Sequence, residues 1–410
     1  MTTTIAVISE KYCPEGGGAE IVTHSIVRWL LKRGYRVSII TGTPLNHEIK
    51  VELDERASSS RDSGYEYKHF KELRCTRKLY HWIFSPLLLS NNESFTRIIH
   101  ESDIIYMPGI LYSLLPFVRR KARAGAKIVI HLHNFQPITY SQFYIEVNSR
   151  EQLLLADMKL LNNEFGRISL LISCLIPFIT STLSRILTNY ADRIICPTES
   201  FKELIEKFVP SLRGKTAVAY NPLPLDEVKD IAPFQKERII AYLGGDRFIK
   251  GYPLAKLVAT KISNEIEDSR IYMVGFSRKP KYPISNNKII FLERIKREEV
   301  FKLLERARVL LFPSIIAEPS PISILEAALL GAIPIAFATP TIQELLSGTD
   351  ATSFLCPPYN MNCIHYKTKN ILMMDPEEFA HISLRIRNQL LKKFGDNANL
   401  LVKLERAIVL

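Results

Sequence analysis

The 410-residue sequence contains no C-x-x-C pair and no D-x-D triplet. Its six cysteines (Cys13, Cys75, Cys174, Cys196, Cys356, Cys363) are scattered. That spacing points to neither a zinc site nor a disulfide framework, and a reducing compartment is expected. No basic lead and cleavage site precede the first apolar run, Ile5 to Ile8, which is strand-length, so no signal peptide is expected and the location is expected to be cytoplasmic. A dinucleotide fingerprint would need glycine at Ile21, and a P-loop ending in Gly214-Lys215-Thr216 would need it at Val209; both are missing. Residues 168–184 carry no charge over 17 positions, with Pro177 near the centre, which fits a buried or interfacial helix better than a membrane span.

What is present is a folded-protein composition, 47% hydrophobic and 23% charged, in a chain long enough for two or three domains. The net charge of +12 implies attraction to something anionic, such as a phosphorylated substrate or acidic lipid. No nucleic-acid recognition motif accompanies it, and nucleic acid is not an expected partner.

Short β-branched runs alternate with helical patterns throughout. Strands are expected at Ile5–Ser9, Arg36–Thr41, Asp103–Met107, Lys127–His131, Arg193–Pro197 and Thr216–Tyr220, then at Ile239–Leu243, Arg270–Val274, Lys288–Leu292, Val309–Phe312 and Ala332–Ala336. Apolar strands separated by helices mean parallel sheets covered on both faces, and two such series mean two doubly wound domains facing a cleft. The expected division is 1–222 for a first Rossmann-like domain, 223–385 for a second, and 386–410 for a helical segment packing back on the first. The break falls in NPLPLDEVKDIAPFQKE, Asn221–Glu237; residues 43–72, with SSSRDSG, read as a mobile insertion.

Four stretches carry chemistry. Gly16, Gly17 and Gly18 stand between the first strand and a helix, where backbone N–H groups can approach an anion. HLHNF ends the fourth strand with His131 and His133, which share a face if the strand stays extended. YLGGDRFIKG supplies Arg247, Lys250 and Gly251 at another strand's end, a basic loop suited to a pyrophosphate. EPSPISILE places Glu318 in a loop and Glu326 on the following helix, with Ser320 expected as N-cap and Pro321 as the first helical residue. The free N–H groups of Ile322 and Ser323 then face the cleft, and Ser323 shares a stripe with Glu326. Glu326 either meets the hydroxyls of a sugar or pairs with an arginine from another segment.

These stretches together resemble a retaining glycosyltransferase of the GT-B fold, family 4. The resemblance also rests on "RGYRVSIITG", "ADRIICPTES", "FLERIKREEVFKLLERARVLLFPS" and "EPSPISILEAALLGAIPI", and covers nearly the whole chain. It implies a nucleotide-sugar donor as substrate, no cofactor and no metal, which the missing D-x-D suits. It implies that Glu326 binds ribose hydroxyls and that Glu318 contacts the donor sugar, assisted by backbone amides near Ser320 to Ser323. Lys250 and Arg247 would neutralise the diphosphate, His133 would sit by the sugar, Gly17 and Gly18 would border diphosphate and acceptor, and Arg294–Ile295 would lie by the base. Pro321 and Glu293 stand where many members have glycine, and Arg247 lies closer to Lys250 than the usual arginine. The implied acceptor is a glycan or lipid-linked glycan, met at an anionic membrane surface that the 168–184 run and FVRRKARAGAK would contact. The alternative readings are a nucleotide-sugar epimerase of the same fold, which needs no acceptor, and a non-catalytic glycosyltransferase-like subunit.

Overall fold

The computed structural model describes residues 2–58, 64–74, 79–139, 150–165, 170–223, 236–277 and 287–409. The SSSRDSG tip, most of the Asn221–Glu237 break and the start of the 168–184 run lie outside them. Thirteen strands are present among the described residues. In the first sheet they are β1 (Thr4–Ser9), β2 (Arg36–Thr41), β3 (Gly64–His69), β4 (Ile104–Pro108), β5 (Lys127–His131), β6 (Arg193–Cys196) and β7 (Thr216–Val218). In the second they are β8 (Glu237–Tyr242), β9 (Arg270–Phe276), β10 (Ile289–Glu293), β11 (Ala307–Phe312), β12 (Ile333–Phe337) and β13 (Leu355–Cys356). The orders are β3-β2-β1-β4-β5-β6-β7 and β10-β9-β8-β11-β12-β13, and every pairing is parallel.

Strand β1 shows why continuous apolar runs give this architecture. Successive side chains leave opposite faces of the sheet. Ile5 and Val7 join Val22, Ile26 and Leu30 of the helix Gly18–Lys32, while Ala6 and Ile8 join Phe95, Ile98 and Val118 on the other side. With both faces covered by helices, the middle of the strand, Ile5–Ile8, is apolar throughout, and its polar residues, Thr4 and Ser9, stand at the ends. In each sheet the chain order reverses beside the first strand, between β1 and β4 and between β8 and β11. Ligand crevices of open parallel sheets form at such points, outside the strand C-termini. The fold is GT-B.

Two expectations need correction. The described parts of residues 43–72 are not an irregular insertion: they include the helix His47–Ser58 and the edge strand β3. Tyr65 donates to Asp54 Oδ1 at 2.6 Å and Tyr67 to the Thr43 carbonyl at 2.9 Å, which ties the strand to the segment before it. Cys356 and Cys363 are not separate thiols but a disulfide, because the loop between them turns back and brings their Cα atoms to 5.7 Å. The described part of the 168–184 run lies in the helix Leu170–Thr188, and, as expected, among the described residues no helix is long and apolar enough to cross a membrane.

The C-terminal helix Asn397–Val409 lies against the first sheet's helices and strands. Its buried Glu405 accepts from Trp29 Nε1 at 2.8 Å, Tyr35 Oη at 2.8 Å and Arg33 Nε at 3.2 Å. A buried carboxylate is stable only when so paired, and its donors are stranded if it is removed. Glu405→Ala is therefore expected to lower unfolding free energy by about 2 kcal/mol, read from the denaturant midpoint. An unchanged midpoint would contradict the contact.

Candidate active site

The cleft residues come from loops at strand C-termini. After β8 the chain makes a 3-10 turn, Phe248–Lys250, and Gly251 follows at φ 75°. A side chain there is excluded, since a Cβ would stand 1.8 Å from the Pro313 carbonyl oxygen. The same approach lets Ile315 N–H donate to the Ile249 carbonyl at 3.2 Å, so the loops after β8 and β11 are knitted together. Lys250 is thereby carried to Glu318: Nζ lies 2.7 Å from Oε2, and Ser314 Oγ donates to Oε1 at 3.0 Å. Arg247 is exposed at the start of the turn.

The helix of EPSPISILE begins one residue later than expected. It spans Ile322–Leu329 with Pro321 as N-cap, and Ser320 belongs to the preceding loop. Pro321 has ψ 88°, outside the helical range. The loop carbonyls explain this: Glu318 O accepts from Thr341 Oγ1 at 2.7 Å and Pro319 O from Thr198 Oγ1 at 3.4 Å, which holds the segment open. The first helical N–H groups, Ile322 and Ser323, have no intrahelical acceptor by construction.

Glu326 is 6% exposed, and its Oε1 lies 2.6 Å from Arg297 Nη2. The pairing arginine foreseen as one alternative is therefore present, and Arg297 also stacks over Phe301 with its Cζ 4.5 Å from the ring centroid. A carboxylate has about four lone-pair sites, so an arginine partner does not prevent it from accepting further hydroxyls. Ile322 faces the opposite domain: a Cβ on Gly18 would lie 3.7 Å from its Cδ1. Arg294 donates to the Gly16 carbonyl, so the loop after β10 also touches the glycine loop, with Ile295 half-buried beside it. Gly17 is the N-cap of the helix Gly18–Lys32, and its N–H donates to Glu20 at 2.6 Å.

His131 and His133 do share a face, with ring centroids 4.1 Å apart. Tyr106 Oη lies 2.7 Å from His131 Nδ1, while the buried Nε2 of His133 has no partner among the described residues. Burial holds the His133 pKa down at about 4, and burial together with His133 lowers His131. Both rings are neutral near pH 7, able to give or take a hydrogen bond without adding charge.

The cleft thus brings Lys250, Glu318, Ile322, Ser323 and Glu326 together from the second sheet and faces them with Gly16–Gly18 and Arg294's bridge. Sequence reasoning gave no role to Arg297 and Ser314, which hold the two carboxylates, or to Thr341, which holds the Glu318 carbonyl. Arg297 lies within the quoted FLERIKREE stretch, but only the fold directs it to Glu326. Among the described residues no three His, Cys, Asp or Glu side chains gather as a metal site.

A family model described as Glycosyltransferase Family 4 matches residues 16–227, more than half of the chain, and one described as Glycosyl transferases group 1 matches residues 226–387. The chain belongs to glycosyltransferase family 4. No curated protein matches the sequence. Among solved structures it is similar to Anabaena HepE in complex with UDP-glucose, at 14% identity and TM-score 0.65 over 98% of both chains. It is similar to the E. coli trehalose-6-phosphate structure bound with UDP-2-fluoro glucose, at 11% identity and TM-score 0.65 over 100% and 99% of the chains. A glycosyltransferase from Rickettsia africae gives 16% identity and TM-score 0.63 over 99% and 98%.

The His133 environment has a measurable sign. Burial holds its folded pKa well below that of an ordinary imidazole, so the unfolded chain takes the proton first. The contribution is complete above about pH 6.5 and is lost as pH falls toward 4, at about 1.4 kcal/mol per unit. His133→Phe is expected to flatten the decline of unfolding free energy in that window, measured by urea titration. An unchanged slope would contradict the burial.

Proposed function

We propose that this glycosyltransferase moves a sugar, with retention of configuration, from a nucleoside-diphosphate sugar to a glycan or lipid-linked acceptor at a membrane surface. The observation that carries the donor half is the Lys250–Glu318 pair beside the Ile322–Ser323 amides, at the reversal point of the second sheet. A cation and a helix start converging on one space suit a diphosphate. A carboxylate next to that cation suits the hydroxyls of the attached sugar. HepE and the E. coli structure, which share the fold, were obtained with UDP-glucose and UDP-2-fluoro glucose.

In this reading the leaving diphosphate takes Lys250 and the helix amides, with Arg247 at the loop's exposed edge. Glu318, released from Lys250, accepts sugar hydroxyls and stays held by Ser314. Glu326, charge-balanced by Arg297, accepts the ribose hydroxyls, and Ile295 with Arg294 borders the base. Neutral His133 offers a hydrogen bond to the sugar from the other side. Gly17 and Gly18 leave room for the acceptor. The acceptor hydroxyl attacks the anomeric carbon on the face that the diphosphate leaves, and its proton goes to the departing phosphate oxygen. Charge builds on that oxygen, so pre-placed cations and amides supply most of the rate enhancement. No protein carboxylate or metal is required as base in this scheme.

The membrane half rests on surface chemistry. Phe84, Leu87 and Leu88 on the helix Leu79–Ser90 and Phe178, Ile179 and Ile186 on Leu170–Thr188 are exposed. Both helices pack on the turn Tyr112–Leu114, and the helix after it ends in Arg119, Arg120 and Lys121. Apolar side chains beside a basic edge suit an anionic bilayer.

A thermal-shift series with UDP, GDP and ADP tests the donor half. At about a hundredfold excess over Kd, the matching nucleotide stabilises by about 2.7 kcal/mol, or about 3 °C for a chain of this length. Lys250→Ala is expected to abolish that shift and to lower turnover about 100-fold or more. Failure of every nucleoside diphosphate and its sugar to move the wild-type transition would sink the reading.

A further inference from the structure

The Pro197–Ser200 stretch of ADRIICPTES has no part in holding the donor, yet it is where the first domain grips the second. Behind β6 the helix Glu199–Phe208 starts with Thr198 as N-cap, its Oγ1 accepting from Phe201 N–H at 3.2 Å. The next two N–H groups are capped from the other domain. Glu344, on the helix Pro340–Leu346, accepts from Glu199 N–H at Oε1, 2.7 Å, and from Ser200 N–H at Oε2, 2.6 Å. Ser200 Oγ donates to the same Oε2, and Tyr220 Oη to Oε1 at 2.7 Å. Four donors from the first domain thus converge on one carboxylate of the second. Burial works against its charge, but these hydrogen bonds outweigh it and hold its pKa below the usual carboxylate range.

This contact is two steps from Glu318. The helix that carries Glu344 also carries Thr341, whose Oγ1 donates to the Glu318 carbonyl at 2.7 Å. Thr198, the N-cap beside the contact, donates to Pro319 O at 3.4 Å. On the first domain's side, β6 pairs with β5, with Ile195 opposite His131, and β5 leads to His133. The backbone bearing Glu318 is therefore referenced to the strand pair bearing His133 through Glu344 and the Thr198–Ser200 turn.

We propose that Glu344 is a positioning residue: it pins the second domain to the start of the helix Glu199–Phe208 and so fixes the separation of the Glu318 loop from the His133 strand end. It touches no substrate. The kinetic part of this proposal rests on the glycosyltransferase reading above; the geometric part does not. The side chain of Glu344 bonds to Glu199, Ser200 and Tyr220 and to none of the donor-binding groups named above, so its loss should spare nucleotide affinity and impair the step that needs both domains in register.

The test compares wild type with Glu344→Ala and Glu344→Gln by small-angle scattering, by the thermal shift given by UDP, and by UDP release from UDP-glucose. Glu344→Ala is expected to broaden the pair-distance distribution and keep the UDP shift. It should lower kcat about tenfold or more with KM within about twofold, since small misplacements cost that much. Glu344→Gln retains an acceptor oxygen and is expected to fall between. If Glu344→Ala does not fold, Ser200→Ala with Tyr220→Phe removes two donors, keeps the carboxylate, and should change scattering and kcat in the same direction. A scattering curve that superposes on wild type in the folded variant, or a raised KM with unchanged kcat, overturns the proposal. If wild type neither binds UDP nor turns over UDP-glucose, the donor reading has failed for that base, and the scattering comparison alone decides the pin.

Discussion

Glu318 is held at both ends, and the geometry of the cleft follows from that. Its carboxylate is shared by Lys250 and Ser314, and its carbonyl by Thr341. Lys250 reaches it only because Gly251 lets the loop after β8 lie against Pro313. A side chain at position 251 would push the two loops apart and separate the cation from the acid. The extended conformation imposed on residues 318–321 then delays the helix to Ile322, which leaves two amide donors beside the ion pair. Charge, dipole and carboxylate are thus concentrated in one place by backbone contacts more than by side-chain choice.

The two domains meet through contacts of different character. Across the cleft itself they touch lightly, with Gly18 near Ile322 and Arg294 on the Gly16 carbonyl. Behind it they are tied by carboxylates, Glu344 on the Thr198–Ser200 turn and Glu405 on Trp29, Arg33 and Tyr35. Between the domains, a substrate entering the cleft has only the light contacts to displace. The tied side can act as the axis about which the domains adjust, because hinge elements absorb such changes while packed ones do not.

Most strands could be read directly from their unbroken apolar runs, since a parallel sheet buried on both faces needs such runs. Two were missed for physical reasons. β3 reads GYEYKH, a polar edge strand whose Tyr65 and Tyr67 gain their anchoring only from Asp54 and Thr43. β13 has two residues, too few for any period to show. The spacing of Cys356 and Cys363 carries no recognised pairing signal, and a loop fold brings them together. At the cleft, the positions of Lys250, Glu318 and Glu326 at a strand end, loop and helix were legible from glycine and proline placement. Two of their partners were not, because Arg297 and Thr341 reach Glu326 and the Glu318 carbonyl across tertiary distances that local pattern does not encode. Ser320 was misplaced as N-cap because the pull of Thr341 and Thr198 on the loop carbonyls comes from elsewhere in the fold.

The central claim is that the start of the Ile322–Leu329 helix and the Lys250–Glu318 pair form the donor's diphosphate site. A crystal structure of the chain grown with the nucleoside diphosphate that stabilises it most tests this directly. The account predicts the diphosphate within hydrogen-bond distance of Lys250 Nζ and the Ile322 or Ser323 amide, with the ribose hydroxyls on Glu326. A nucleotide bound elsewhere, or one whose ribose leaves Glu326 untouched while the diphosphate avoids Lys250, would contradict it.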